Sequence, residues 1–307
     1  MKGFTRCNFL ISLIGVFGGL YMQNVAAIDH DEVMTSLGNA TYIGIEDHPV
    51  TLADGRWEGA PYVEGGSARP AVGLVKNILM EADLDADGSD EIVVVLWQTS
   101  GGTGSNMYLA VMKPETGSYL NSATALIGDR VKIRAARIEA GAIVLDVLQA
   151  GENDPMCCPT MLATRRWVLN GGQLEEMEMQ KTGPLSLATL DETEWRLIRM
   201  DPVQELPEDA EVTLNFGGGR VSGKSACNRY SADVRQGERP GTIIIGPAMV
   251  TRMACAEPLM EIESRYLAML SEVESFSFQA GSLALSGQSD DGVLFIMLFS
   301  AQGADKP

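Results

Sequence analysis

The densest run of chemically capable side chains is Asp83-Leu84-Asp85-Ala86-Asp87-Gly88-Ser89-Asp90-Glu91. Carboxylates at alternate positions, with a glycine that permits a tight turn, form a nest of hard oxygens suited to Ca²⁺. Asp83, Asp85, Asp87 and Asp90 are the expected ligands, calcium the cofactor they would take, and a solvated acidic β-turn the competing reading. A helix–loop–helix calcium site is excluded, because its closing Glu would fall at Val94, where the loop has already run into a strand. The next constellation is Cys157-Cys158, flanked by Pro155 and Pro159. Adjacent cysteines join only through a strained ring, and strained, exposed disulfides tend to be reducible. With no Cys-x-x-Cys and no nearby His or Lys to lower a thiol pKa, a static loop clamp is favoured over redox chemistry.

No catalytic residue is assigned. Only His30 and His48 are present, and neither has a Ser or Cys partner in a recognisable motif. The nucleophile elbow G-x-S-x-G is missing. Lys181-Thr182-Gly183 imitates one box of the penicillin-binding enzymes, yet no Ser-x-x-Lys accompanies it. Gly101–Gly104 lacks the Lys-Ser/Thr of a phosphate loop and reads as a hairpin.

These residues must be held by strands. Short apolar or alternating runs separated by Gly, Asn and Asp recur through the first half: Pro49–Ala53, Gly55–Glu58, Val72–Glu81, Glu91–Gln98, Met107–Lys113, Val131–Glu139, Ala142–Gln149, Ala163–Leu169 and Gln173–Glu178. Asp31–Leu37 reads as a short helix. Ile92–Trp97 is apolar without alternation, as in a strand buried on both faces. The stretch 181–190 has no strong period, contains Gly183-Pro184 and reads as a linker. Further strands are expected at Trp195–Met200, Glu211–Phe216, Arg220–Ser222, Thr242–Ile245, Ser275–Phe278, Leu283–Ser286 and Val293–Phe299. One helix interrupts them: Pro258 suits a first helical position, and Leu259, Ile262, Tyr266, Leu267 and Leu270 make one apolar stripe. The expected fold class is therefore α+β but β-dominated: two antiparallel β-rich domains, 28–180 and 191–301, the second with one amphipathic helix packed on its sheet.

Residues 1–27 read as a removable secretory signal: Lys2 and Arg6, an apolar stretch from Phe9 to about Met22, and small residues before a cut near Ala27. The apolar stretch is shorter than the ~20 residues of a membrane span, and no later segment approaches that length. Cys7 lies within the basic start, which disfavours a lipid anchor. The chain carries a net charge of −18, and without Lys2 and Arg6 it would be −20. Such a surface repels phosphate backbones and anionic headgroups, so nucleic acid is not an expected partner. Four cysteines follow the signal, an even number that suits disulfides in an oxidising, periplasmic or extracellular compartment.

Three resemblances add to this. The acidic turn resembles the DxDxDGxxD loops between strands of secreted β-propeller and integrin-like repeats, which usually carry several copies where this chain has one. The wider run through Asn39-Ala40-Thr41-Tyr42, Leu52–Arg56, Gly101–Gly104, Gly128–Val131 and Asp154–Thr160 resembles a group of secreted bacterial proteins with no attached activity. Val221–Tyr230, with Gly223, Cys227, Asn228 and Tyr230, followed by Met249–Cys255, with Thr251, Arg252 and Met253, resembles the META domain of heat-inducible envelope lipoproteins. Ala226 stands where that family commonly has Gly, which could alter the loop backbone.

The META resemblance implies association with envelope stress and drug tolerance. Within its motif, Cys227 and Cys255 would close a loop worth roughly 3–4 kcal/mol in the chain-entropy model. Asn228 would satisfy loop backbone groups, with Tyr230 and Met253 packed beneath. Arg252 would pair with a neighbouring carboxylate or bind an anion. The expected function is an exported, non-catalytic binding or stress-tolerance module acting on an unidentified envelope protein or ligand. Its rivals are a hydrolase with a site at the domain interface and an inhibitor-like loop protein.

Overall fold

Glu91–Thr99 lacks polar alternation because it lies at the middle of a sheet covered on both faces. Val93 and Val95 enter one core, whereas Ile92, Val94 and Leu96 enter another. The computed structural model describes residues 30–155, 157–191, 193–201, 206–207 and 209–302. The export signal read over 1–27 and the tail beyond Gln302 lie outside them.

In chain order the first half contains α1 (His30–Leu37), β1 (Thr41–Tyr42), β2 (Val50–Thr51), β3 (Arg56–Glu58), β4 (Ala71–Ala82), β5 (Glu91–Thr99), β6 (Asn106–Glu115) and β7 (Ser118–Asp129). It continues with β8 (Lys132–Glu139), β9 (Ala142–Gln149), β10 (Met161–Asn170), β11 (Gln173–Glu176) and β12 (Gln180–Pro184). Strands β3 to β7 form one antiparallel sheet in sequence order. A second has the order β11-β10-β9-β8, with β12 added on β10. Valines and leucines of the first sheet meet Ile133, Ile143, Leu145, Val147 and Trp167 of the second, which makes this half a sandwich. On the outer face of the first sheet, Val33 and Leu37 of α1 and Tyr42 and Val50 of the β1–β2 pair complete a further core.

The second half contains β13 (Glu194–Met200), β14 (Thr213–Gly217), β15 (Arg220–Lys224), β16 (Arg229–Gln236), β17 (Ile243–Ile245), β18 (Met249–Val250), α2 (Glu257–Ser271), β19 (Val273–Gln279), β20 (Ser282–Gln288) and β21 (Leu294–Ala301). The order β17-β16-β15-β14-β13-β21-β20-β19 makes one antiparallel sheet, with β18 paired to β16. Its ends approach each other: Phe276 N donates to Gly241 O at 2.8 Å and Thr242 bridges Ser275, so the sheet curls to a near-barrel. Pro258 lies in the first turn of α2, and Ile262, Tyr266, Met269 and Leu270 are its buried face, packed into the core of this sheet.

Strands β7 and β16 escape the periodicity reading. β7 carries Asn121 and Gly128, residues that punctuate turns, and its register on β6 shifts twice, so no single alternation survives. The stretch read as a linker is ordered. Gln180–Pro184 pairs along β10, and a 3₁₀ turn follows at Leu187–Leu190. Leu185 and Leu190 are buried in the second core. An edge strand with one paired side tolerates the Gly-Pro that made the segment look like a connector.

Candidate functional site

The acidic turn joins β4 to β5. Ala86 (φ 59°) and Gly88 (φ 91°) take left-handed backbone, which folds the chain back on its own carboxylates. Asp83 accepts from the N–H groups of Asp87 and Gly88, each at 3.1 Å, and Asp87 accepts from Ser89 N at 2.9 Å. Glu91, the first residue of β5, is fully buried. Its Oε2 accepts from Leu84 N at 2.8 Å, whereas Oε1 is covered and has no hydrogen-bond donor.

One oxygen each from Asp83, Asp85 and Glu91 lie within 4.8 Å of one another. That is twice the ~2.4 Å of a calcium–oxygen bond, so the three can share one cation. Asp87 and Asp90 do not join this group. Asp87 accepts from Ser89 N, and Asp90, like Asp83 and Asp85, is exposed. Glu91, which the sequence pattern did not single out, stands in the group because the sheet carries its carboxylate back under the turn.

Lys113 of β6 reaches the same cluster. Its Nζ donates to Asp85, lies 3.2 Å from Asp87 Oδ2 and 3.6 Å from Glu91 Oε1. The hydrogen bonds to Asp85 and Asp87 hold its ammonium well above the ordinary lysine range. The Ser89 backbone N–H, then Lys113, draws the Asp87 carboxyl below its ordinary value. An ammonium thus already occupies part of the negative field that a divalent ion would enter. Lys113 is invisible in the motif because only the β5–β6 pairing, Ile92 opposite Met112, brings it there.

Cys157 and Cys158 form a disulfide in an exposed loop. Asp154 fastens the loop by accepting from Gly151 N at 2.8 Å and from Thr160 N at 2.6 Å and its hydroxyl. The Gly151 N–H, foremost, and the Thr160 donors keep the Asp154 carboxyl below the usual range.

In the second half, Cys227 and Cys255 are disulfide-bonded across the loop that leads to α2. Asn228 beside them is 4% exposed and fully engaged. Its Oδ1 accepts from Met253 N at 2.7 Å and Thr251 Oγ1 at 2.9 Å, and its Nδ2 donates to Met253 O at 3.3 Å. Glu263 of α2 receives Asn228 N at 2.7 Å and Nδ2 at 2.9 Å, and the Ser225 hydroxyl at 2.6 Å. Sequence reading had missed Glu263, whose only signal is its place on the helix that follows the second cysteine.

Tyr230 is buried and shares a 2.6 Å hydrogen bond with the Tyr266 hydroxyl; burial drives both phenols upward. Gly223 is required by contact: a Cβ there would stand 2.0 Å from Thr213 O. Ala226 (φ 72°) adopts left-handed backbone, the conformation in which Gly would be unstrained. Two expectations are corrected. Met253 is 60% exposed and does not pack beneath the motif, because its backbone groups are held by Asn228 and its side chain is turned outward. Arg252 is exposed and forms no ion pair with any described residue.

Residues 188–298 match the family model of the META domain. A solved structure, described as the NMR structure of the protein from Burkholderia xenovorans, is similar at 27% identity over 38% of this chain and 86% of its own, with a TM-score of 0.32. No curated protein matches. Among the described residues no helix is long and apolar enough to cross a membrane.

Proposed function

We propose, with the META match over residues 188–298 as premise, that this is an exported envelope protein acting as a non-catalytic binding or stress-tolerance module. The reading rests on the saturation of the motif: Asn228, Thr251, Glu263 and Ser225 spend their polar atoms on one another and on loop backbone, and the one carboxylate–hydroxyl pair among them, Glu263 with Ser225, is closed to a substrate because Ser225 is fully buried. The two disulfides fit delivery to an oxidising compartment by the segment 1–27, with release near Ala27. The first half would take Ca²⁺ at Asp83, Asp85 and Glu91, since a hard cation prefers an all-oxygen set of this span.

The test is complementation. Cells lacking the gene should lose survival under heat or membrane-active drugs, recover with the wild-type exported protein and fail to recover with Asn228→Ala. Unaltered survival of the deletion strain, or turnover of ester, peptide or glycoside substrates by the purified protein, would overturn the reading. Calorimetry with millimolar Ca²⁺ tests the ion separately, and absence of heat removes it.

A further inference from the structure

A pocket of about 390 Å³ opens where the loop between β5 and β6 meets the end of β7. Two sequence motifs with no part in the sites above converge on it, Gly101–Gly104 in the loop and Asp129-Arg130 at the strand end. They meet because Asn106, the first residue of β6, is the register partner of Asp129.

The loop is held on both sides. Thr99 Oγ1 donates to Gly104 O at 3.1 Å and accepts from Gly101 N at 3.2 Å. Ser105 N donates to Asp129 Oδ1 at 3.0 Å, while the Arg130 guanidinium pairs with Asp129 and reaches Thr103 Oγ1 at 3.2 Å. On the strand side Gln98 is 6% exposed; it donates to Glu46 Oε1 at 2.9 Å and accepts from Asn106 Nδ2 at 3.0 Å. Polar side chains fixed in this way lose little freedom when a ligand arrives.

The lining selects the chemistry. Each of its described residues is glycine or polar, so it offers no wall to a lipid chain. Its two charged residues, Asp129 and Arg130, pair with each other, so a charged ligand finds no free counterion. Hydrogen-bonding capacity of both kinds is still open. Among the described residues Asn106 Oδ1 and Arg130 Nε find no partner, and neither is sealed from solvent as Glu91 Oε1 is. The Asp129 side chain is 39% exposed, and Ser100 is exposed beside it. Adjacent hydroxyls match this set, because one can donate to Asp129 or Asn106 while its neighbour accepts from Arg130.

We infer that the pocket between the Gly101–Gly104 loop and Asp129-Arg130 binds a neutral saccharide through its vicinal hydroxyls. No aromatic ring stands among the described lining residues, so affinity rests on hydrogen bonds and lies in the millimolar range. The inference does not depend on the role of the META motif: titration of purified protein reports it, whereas complementation reports on tolerance, so either can fail alone.

The experiment is a nitrogen-15 NMR titration of the full exported chain with the methyl glycosides of glucose, galactose, mannose and N-acetylglucosamine. Cyclohexanol, a ring with one hydroxyl, and acetyl-diglycine amide, a neutral peptide, serve as controls. Saturable shifts of the Ser100, Gly102, Gly104 and Arg130 amide signals are expected with at least one glycoside and with neither control. Asn106→Ala should weaken that glycoside by about fivefold, the worth of one net hydrogen bond. At Gly104 a Cβ would stand 3.5 Å from Asp129 Oδ1 and 3.8 Å from Arg130 Nη2, ordinary contact distances, so Gly104→Leu fills the pocket without forcing the backbone. It should abolish binding, and a wild-type amide spectrum away from the pocket is the folding control for both variants. Absence of saturable shifts with all four glycosides overturns the inference. So does an equal response to cyclohexanol or to the peptide, or undiminished affinity in either folded variant.

Discussion

Glu263 grips Asn228 with both carboxylate oxygens, one on the backbone N–H at 2.7 Å and one on the side-chain amide at 2.9 Å. The contact crosses from α2 to the loop between β15 and β16, and the Cys227–Cys255 bond runs beside it. The helix is therefore fixed to the barrel by a polar lock as well as by Ile262 and Tyr266 in the core.

Breaking that lock should be expensive for so small a change. Asn228→Ala leaves Met253 N and Glu263 Oε1 without their partners, while Glu263 Oε2 keeps the backbone N–H and the Ser225 hydroxyl, and it is expected to cost about 3 kcal/mol in urea unfolding. Glu263→Gln should cost less, since the amide oxygen can still accept. A loss below about 0.5 kcal/mol for Asn228→Ala would remove the lock as a source of stability.

Gly223 tests packing without chemistry. Its missing Cβ leaves room for Thr213 O, which would otherwise lie at 2.0 Å. Gly223→Ala must push the β14 and β15 backbones apart and should destabilise by about 2–3 kcal/mol. A neutral effect in thermal melts would mean that the strands separate easily.

Lys113 and Glu91 should act on cation binding in opposite directions. Lys113→Met removes an internal competitor and should tighten Ca²⁺ by on the order of tenfold, because like charges sharing one field repel. Glu91→Gln should abolish binding, as it neutralises the one buried ligand of the triad. Calorimetry on both variants decides the matter, and Ca²⁺ affinity unchanged by Lys113→Met would exclude the competition.

The Cys157–Cys158 loop should respond to acid. The folded Asp154 carboxyl lies below its ordinary value because it accepts from Gly151 and Thr160. Its contribution is thus complete above the unfolded value of about 4 and fades as pH falls through the lower folded value. Limited proteolysis of the loop should accelerate over that range in the wild type. Asp154→Asn, lacking the charge, should be cleaved faster at neutral pH and show a flatter response; identical pH profiles would dismiss the carboxylate as the fastener.

Much of this architecture follows from local pattern. The non-alternating Ile92–Trp97 belongs to a doubly covered strand, and the stripe Ile262–Tyr266–Leu270 makes the long amphipathic helix of the second half. Both are set by the period at which apolar side chains recur, and that period is a property of the chain alone. The turn at Asp83–Glu91 and the Gly223–Tyr230 motif were equally legible, because their residues are close in sequence. Tertiary structure decided which carboxylates converge, setting Glu91 beside Asp83 and Asp85, and it brought in Lys113 and Glu263 from a neighbouring strand and a distant helix. It also set Arg134 of the first half and Trp195 of the second on the walls of one cavity. Those pairings depend on strand register and on the docking of one half against the other, and no local period encodes the distance between residues that only the folded sheets bring together.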